Sequence, residues 1–243
     1  MSTAAATTQR TRIREELLGT LKEAARARLA TEGAAGLSLR AVARDLGLVS
    51  SAVYRYVASR DELLTLLIID GYNAMGQVAE DADARAARSR GATAGSRWLA
   101  VCRAVRGWAL EHPQEFALLY GSPVPGYAAP EATIAPATRI FAVLAGVVRA
   151  AHSGGELAPP ARPLPGPRLV TPTVVEIAGL DLPRGSDLLE RSLGLVVMLV
   201  GTITFELFGH LVGGVTDTAA YFDAAMMVAA EGVGLELPLR RRR

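Results

Sequence analysis

Ser50, Ser51, Tyr54 and Arg55 lie within six consecutive positions and carry hydroxyls, a phenol and a guanidinium. Such groups hydrogen-bond base edges and phosphate oxygens. On a helix begun near Val49 they fall on one side, with Val53 on the other. The plainer alternative is that the serines start a helix and that Tyr54 and Tyr56 pack a small domain. A second pair, Glu206 and His210, lies four residues apart, on one face of a helix. A carboxylate and an imidazole so placed can bind a metal, exchange a proton, or satisfy each other. Zinc sites usually need three or four protein ligands. The other histidines, His112 and His152, stand beside a proline and a glycine-rich stretch. No metal or cofactor is therefore expected. Mutual hydrogen bonding or ion pairing is the expectation, with a share in ligand recognition as the alternative.

The first group needs elements to hold it, and residues 38–64 supply them. Ser38 can cap a helix by accepting a bond from an amide one turn on. Leu39, Val42, Ala43 and Leu46 recur at three- and four-residue steps and give that helix one apolar face. Gly47 tolerates the positive φ of a sharp helix-to-helix turn. Val49 and Val53, one helical step apart, are expected to face Leu46 across the turn. Ser59-Arg60-Asp61-Glu62 is a capping box that starts a third helix. This is the spacing of a helix-turn-helix reader, which lays its second helix in a DNA major groove.

Ser38, Ala43, Gly47, Val53, Tyr54, Tyr56, Ser59, Arg60, Glu62 and Leu63 are set as in the LY.YF.SKE.L pattern of the tetracycline-repressor (TetR) family. The stretch resembles that family strongly over residues 11–70. Three departures stand out: Val49 where a capping serine is usual, Val57 for phenylalanine, and Arg60 for lysine. The resemblance implies an all-α fold. An N-terminal three-helix DNA-binding domain (1–58) would precede a larger helical ligand-binding and dimerisation domain (59–243), with residues 59–83 as the connecting helix. It implies that Ser50, Ser51, Ala52, Tyr54 and Arg55 lie against the major groove, and that Ser38, Tyr56 and Arg60 touch phosphates. It also implies a homodimeric repressor that binds a palindromic double-stranded operator and is released by a small-molecule effector. HPQEFALLYGSPVPGY and ELFGHL are similar to one C-terminal subgroup, named after a Trp-His-Gly triplet, although Val200 precedes Gly201 here and that triplet is missing.

Charge distribution agrees. The formal net charge is only +2, but residues 1–60 hold ten Lys/Arg against five Asp/Glu, and residues 61–239 hold twelve against nineteen. A basic head on an acidic body is the footprint of a DNA-reading module on a partner domain. Chance segregation is the alternative. Arg10, Arg12 and Arg14, on a flexible N-terminal arm, would be in reach of the duplex. Arg240–Arg243 close the chain. A lone cysteine, Cys102, excludes an intrachain disulfide and suits a reducing cytoplasm; it reads as a small buried hydrophobe. The N-terminus lacks the apolar core of a secretory signal.

The first helix is expected from Thr11 to Thr31, with Ile13, Leu17, Leu21, Ala25 and Leu29 packed on the reader and Gly33 and Gly36 ending it. Beyond Gly91, residues 98–110 read as an amphipathic helix, and Pro113 opens the next. Residues 153–172, rich in glycine and proline, read as a mobile loop. Residues 193–212 are nearly all apolar and long enough to cross a bilayer. Glu206 and His210 argue for a helix buried on every side instead. Paired with residues 219–233, it would form a four-helix dimer interface. Trp108, Phe116, Tyr120, Tyr127, Phe141, Phe205, Glu206 and His210 are the candidates for an apolar effector pocket, or else plain core. No phosphate loop, dinucleotide fingerprint or nucleophile elbow appears, so no enzyme is expected. The competing reading is a helical membrane-associated or enzymatic protein whose N-terminal motif is accidental.

Overall fold

The computed structural model describes residues 2–160, 162–164, 169–180, 182 and 185–238, with side chains at 9 and from 11 onward. Among these residues there is no strand. The helices are α1 (Ser2–Gly36), α2 (Leu39–Asp45), α3 (Ser50–Val53), α4 (Arg60–Ala87), α5 (Ala94–Glu111), α6 (Pro113–Tyr120), α7 (Ile134–Ser153), α8 (Pro172–Ala178), α9 (Leu188–Leu207) and α10 (Thr218–Glu231). They form two compact units. Unit 1 takes Met1–Gly71 and His112–Ile134; unit 2 takes Tyr72–Glu111 and Ala135–Arg243. The boundary expected at residue 58 therefore falls inside unit 1, and α4 contributes to both units.

Unit 1 closes around Leu21, Ala25, Leu29, Leu37, Leu39, Val42, Val53, Val57, Leu63, Leu64 and Leu67, all buried. A reader of some sixty residues buries only about 60% of the surface its unfolded chain exposes. Here α6 and its following loop add cover: Leu118, Val124 and Tyr127 pack on that core. The Tyr127 hydroxyl lies 2.9 Å from Thr65 Oγ1. Arg26 reaches Asp70 at 2.8 Å and Glu115 at 3.4 Å. The four-step row on α1 holds from Leu17 inward, but Ile13 is 52% exposed, one turn beyond the core. The helix also begins at Ser2 rather than Thr11, because the Ala-rich start has high helix propensity; the expected arm is helical. The Arg10 side chain lies outside the described residues.

Gly33, at φ +67°, breaks α1 near its end. Beyond that break Ala34 O keeps only a long bond from Leu37 N–H, at 3.4 Å, and the last carbonyls of a helix need further donors. Arg60 supplies them: Nη2 donates to Ala34 O at 2.9 Å and Ala35 O at 3.2 Å, and Nε donates to Leu37 O at 3.1 Å. Glu62 N–H donates to Ser59 Oγ at 3.1 Å. The Glu62 carboxylate reaches back to the Ala58 amide, one residue earlier than the usual capping box.

Unit 2 packs α5, α7, α9 and α10 around Trp98, Val105, Leu144, Leu199, Ile203 and Phe222. Cys102 is buried there, and burial pushes its thiol well above the ordinary value. The loop read as mobile is instead tied down where it is described. Asp187 accepts from Leu164 N–H at 2.6 Å, Glu190 accepts from Leu169 N–H at 2.9 Å, and Ala158 N–H donates to Gly234 O at 2.9 Å. The prolines and glycines of 153–172 exclude helix locally, but α8 follows directly, with Pro172 in its first turn. Residues 161 and 165–168 of that loop, and Arg240–Arg243, lie outside the described residues.

α9 is not buried on every side. Leu188, Leu189, Leu195, Val196, Leu199 and Ile203 face inward, whereas Leu193, Val197, Met198 and Phe205 are exposed. The four-residue inward repeat leaves the remaining apolar positions on the opposite face.

The Arg60 contacts predict a measurable cost. Arg60→Ala should lower the unfolding free energy by about 1.5–3 kcal/mol, the range for hydrogen bonds from a charged group. Chemical denaturation checks it; an unchanged midpoint would show that these carbonyls find water instead.

Candidate nucleic-acid interface

The turn between α2 and α3 is a Schellman motif. Leu48 N–H donates to Ala43 O at 2.9 Å and Gly47 N–H to Arg44 O at 3.1 Å. Gly47 sits at φ +65°, the left-handed conformation that a Cβ resists. Leu48 then packs on the unit 1 core. Val49 does not: it is 70% exposed. At φ −71°, ψ 138° it precedes α3 in extended form, so the helical step to Val53 does not apply to it. Leu48 takes the inward place that sequence spacing assigned to Val49.

From Val49 onward the short helix is fixed by Ala52 N–H to Val49 O at 2.9 Å and Tyr54 N–H to Ser50 O at 3.1 Å. Val53 is buried. Ser51, Tyr54 and Arg55 are exposed, while Ser50 and Ala52 are half-buried. The outward polar face expected from the sequence is present, with Tyr54 at 45% exposure as its largest member.

The three implied phosphate contacts fare differently. Ser38 stands at the N-cap of α2 in extended conformation but makes no side-chain cap bond. Tyr56 is half-buried against the core, and the Arg14 guanidinium lies 5.8 Å from its ring centroid. Arg60 is engaged by the backbone of α1 and by Asp61 at 3.5 Å, so its charge is turned inward. Two cations that spacing did not single out are exposed instead, Arg40 and Arg44 on the outer face of α2. They sit at i and i+4 opposite the apolar positions, which was the signal available in the sequence. Other basic side chains of unit 1 are held in ion pairs: Lys22 with Asp70, and Arg28 with Glu32 and Asp45. Arg28 keeps the Asp45 carboxyl below its ordinary range by hydrogen bonding.

The eight aromatic and polar residues proposed for an effector pocket divide between the two units. Phe116, Tyr120 and Tyr127 belong to unit 1, where the first two rings meet at a tilt of 42° with centroids 5.1 Å apart. Trp108 is buried in unit 2, and Phe205 is 55% exposed. Glu206 and His210 do not pair. α9 ends at Leu207, so the helical spacing that would align them is lost. Glu206 binds Arg106 through two hydrogen bonds, one at 2.7 Å from Nε and one at 2.5 Å from Nη2. These bonds, with a lesser one from Thr218, hold its carboxyl below the ordinary value against the opposing effect of burial. The His210 ring instead lies 5.1 Å from that of Phe205. Phe141 lines a cavity in unit 2. No cluster of three or more metal-ligating side chains occurs among the described residues.

Residues 98–229 match the family model for the tetracyclin repressor-like C-terminal domain. The HTH-type transcriptional regulators Rv1816 of Mycobacterium tuberculosis and Mb1846 of Mycobacterium bovis are each 39% identical over 217 residues, covering 87% of this chain and 89% of theirs. The crystal structure of the regulatory protein SCO4313 superposes with a TM-score of 0.70 at 31% identity, covering 91% of this chain and 98% of that one. The chain belongs to the TetR family. It is a TetR-family transcriptional regulator with a helix-turn-helix DNA-binding unit and an all-helical C-terminal region. Within the TetR pattern, Val49 stands where serine caps the second helix, and the backbone there already has the extended conformation that a cap requires.

Val49→Ser should therefore stabilise unit 1 by about 0.5–1 kcal/mol by supplying the absent cap. Thermal or urea unfolding measures it; a destabilised variant would mean that the valine makes contacts its exposure does not reveal.

Proposed function

We propose that this TetR-family regulator is a homodimeric repressor that binds a palindromic operator and releases it when a small, mostly apolar effector occupies unit 2. The observation that carries the DNA-reading role is the outward face of the α2–α3 pair. It sets Ser51, Tyr54 and Arg55 in solvent on a helix whose other side is fixed by Val53. Ser50, Ser51, Ala52, Tyr54 and Arg55 read base edges, while Arg40 and Arg44 carry the phosphate attraction. Ser38 and Tyr56 stand beside that surface; Arg60 acts through α1. Two such readers engage half-sites about 34–36 Å apart, or a multiple of that. A coupling of about 1–3 kcal/mol between effector and operator suffices for release.

The dimer is supported by the outward side of α9 and α10. Leu193, Val197, Met198 and Phe205 on α9 and Tyr221 and Val228 on α10 are exposed, as are Phe208 and Val212 in the turn between them. So many exposed apolar side chains on two neighbouring helices mark an interface. Gly194 and Gly201, on the same helix, meet open space where a Cβ would stand. Nothing within the protomer requires them, and mid-helix glycine costs about 1 kcal/mol relative to alanine, so close approach of a second helix is their use. α9, and the segment Glu131–Ser153, are by length and composition apolar enough to cross a membrane. The Arg106–Glu206 pair at one end of α9 favours a protein partner over lipid. The reading places the protein in the cytoplasm, without enzymatic activity or a cofactor.

Selection of bound duplexes from a random pool tests the reading. A palindromic consensus is expected. Arg40→Ala and Arg44→Ala should each weaken binding to all sequences and reduce the salt slope by about 1, whereas Tyr54→Ala and Arg55→Ala should also change the preferred bases. Loss of affinity without any change in preference for the latter two would remove α3 from base reading.

Sedimentation tests the assembly. The wild type should sediment as a dimer at micromolar concentration, and Val197→Glu as a folded monomer, because one carboxylate per chain would be buried unpaired in the interface. A dimeric Val197→Glu would put the interface elsewhere.

A further inference from the structure

Val49 is 70% exposed, more than any other large aliphatic side chain among the described residues of unit 1; Ile134 and Ile13 follow at 55% and 52%. Its backbone, at φ −71° and ψ 138°, is that of an N-cap, yet its side chain makes no cap bond to α3. Ser, Thr, Asp and Asn are preferred at such a position. Valine is among the least favoured residues there, because it has no oxygen to accept the free amides of the first turn. Its methyl groups stand in water, so their burial contributes nothing to the fold. Neither the helix start nor core packing accounts for a valine.

The surroundings supply a use. Ser51, Tyr54 and Arg55 are exposed on the helix that Val49 begins, and Arg40 and Arg44 are exposed on α2. These side chains offer hydroxyls and guanidinium groups, and none offers a branched aliphatic tip. In a helix-turn-helix the N-terminal residues of the second helix meet base edges in the major groove. Those edges present hydrogen-bond donors and acceptors, and thymine adds an apolar group, its C5-methyl. A valine set against a donor or an acceptor strips water from it and returns no bond. Set against the thymine methyl, it removes apolar surface of both partners from water at no such cost. Attraction to one base and a penalty at the others together make specificity.

The valine is also held in place. Leu48 N–H donates to Ala43 O at 2.9 Å and the Leu48 side chain packs on the core, while Ala52 N–H donates to Val49 O at 2.9 Å. The backbone at residue 49 is therefore fixed from both sides. A β-branched side chain has few χ1 rotamers, so covering it loses little freedom.

We infer that Val49 is a base-reading residue that selects a thymine, through its C5-methyl, at one position of each half-site. The inference rests on the DNA-reading role of the α2–α3 pair given above. It adds an apolar reader to a polar surface, and it gives a use to the residue that replaces the capping serine of the TetR pattern.

Uracil lacks only the C5-methyl of thymine, so single thymine-to-deoxyuridine replacements in the selected duplex isolate that group. With the full-length wild type, one such replacement in each half-site should weaken binding about fourfold, the equilibrium counterpart of one buried methyl. Fluorescence anisotropy at fixed salt measures it. Val49→Ala should bind the thymine and uracil duplexes equally at that position, and losses at any other thymine should persist. Val49→Ser should lose the same discrimination while unfolding at no lower temperature than the wild type, a pair of results that a merely structural valine would not give. A consensus without thymine, a wild type indifferent to every uracil, or a Val49→Ala variant that keeps the wild-type uracil pattern would overturn the assignment. Each of these leaves the selected consensus standing, so it counts against Val49 alone. Recovery of no consensus would instead overturn the DNA-reading role, and this assignment with it.

Discussion

One guanidinium closes the reader. The broken end of α1 leaves Ala34 O with only a long bond from Leu37 N–H, at 3.4 Å, and Arg60 donates to the carbonyls of residues 34, 35 and 37. Twenty-three residues of sequence separate Arg60 from Leu37, and the whole α2–α3 pair lies between them. The clamp therefore joins the two ends of the segment that carries the reading surface. A lysine, the residue usual here in TetR proteins, presents a compact ammonium. Arginine presents a planar fork of five donors, which suits three carbonyls spread over four residues. The departure in the sequence and the geometry at the clamp have the same cause. It also explains why a residue implied to touch phosphate faces inward in the free chain.

Inside the clamp, the division between packed and offered side chains follows from a single left-handed residue. Gly47 lets Leu48 donate back to Ala43 and drop into the core beside Val42 and Val53. Once Leu48 is inward, Val49 is carried outward, and the turn of helix that follows presents Ser51, Tyr54 and Arg55. With any residue that resists positive φ, the turn would open and the register of the outward face would change with it. The surface is thus set by backbone chemistry one turn upstream of the side chains it exposes. Arg40 and Arg44 add a cationic row on α2 that owes nothing to the turn.

What the sequence revealed and what it concealed divide along physical lines. Local signals were legible: Gly47, the Ser59–Glu62 cap, Pro113 at the start of α6, and the apolar period of α2 all act within a few residues. Val49 misled because helical spacing was applied to a residue that precedes the helix. Glu206 and His210 misled for the mirror reason, since α9 stops between them. Arg106, one hundred positions from Glu206, was invisible as its partner because nothing local links α5 to α9. The assignment of α6 to unit 1 was likewise hidden: the packing of Leu118 and Tyr127 on the reader core depends on contacts some fifty or more residues apart. The effector candidates were chosen by residue type, and aromatic type does not distinguish a packed pair such as Phe116 and Tyr120 from a cavity wall.

α9 shows how one helix can serve two neighbours. Its inward residues follow a repeat of three and four that fills the unit 2 core, and its outward residues are equally apolar but interrupted by Gly194 and Gly201. A helix selected only for monomer stability would carry charged residues or alanine on that outward face. Apolar side chains there favour aggregation, and the glycines weaken the helix. Both costs are offset if a second α9 lies against the glycines, where the missing side chains let backbones approach and the flanking Val197 and Phe205 lose their exposure. On this reasoning the apolar character of α9, which in isolation resembles a membrane segment, is what the proposed dimer would require of a helix covered on both sides.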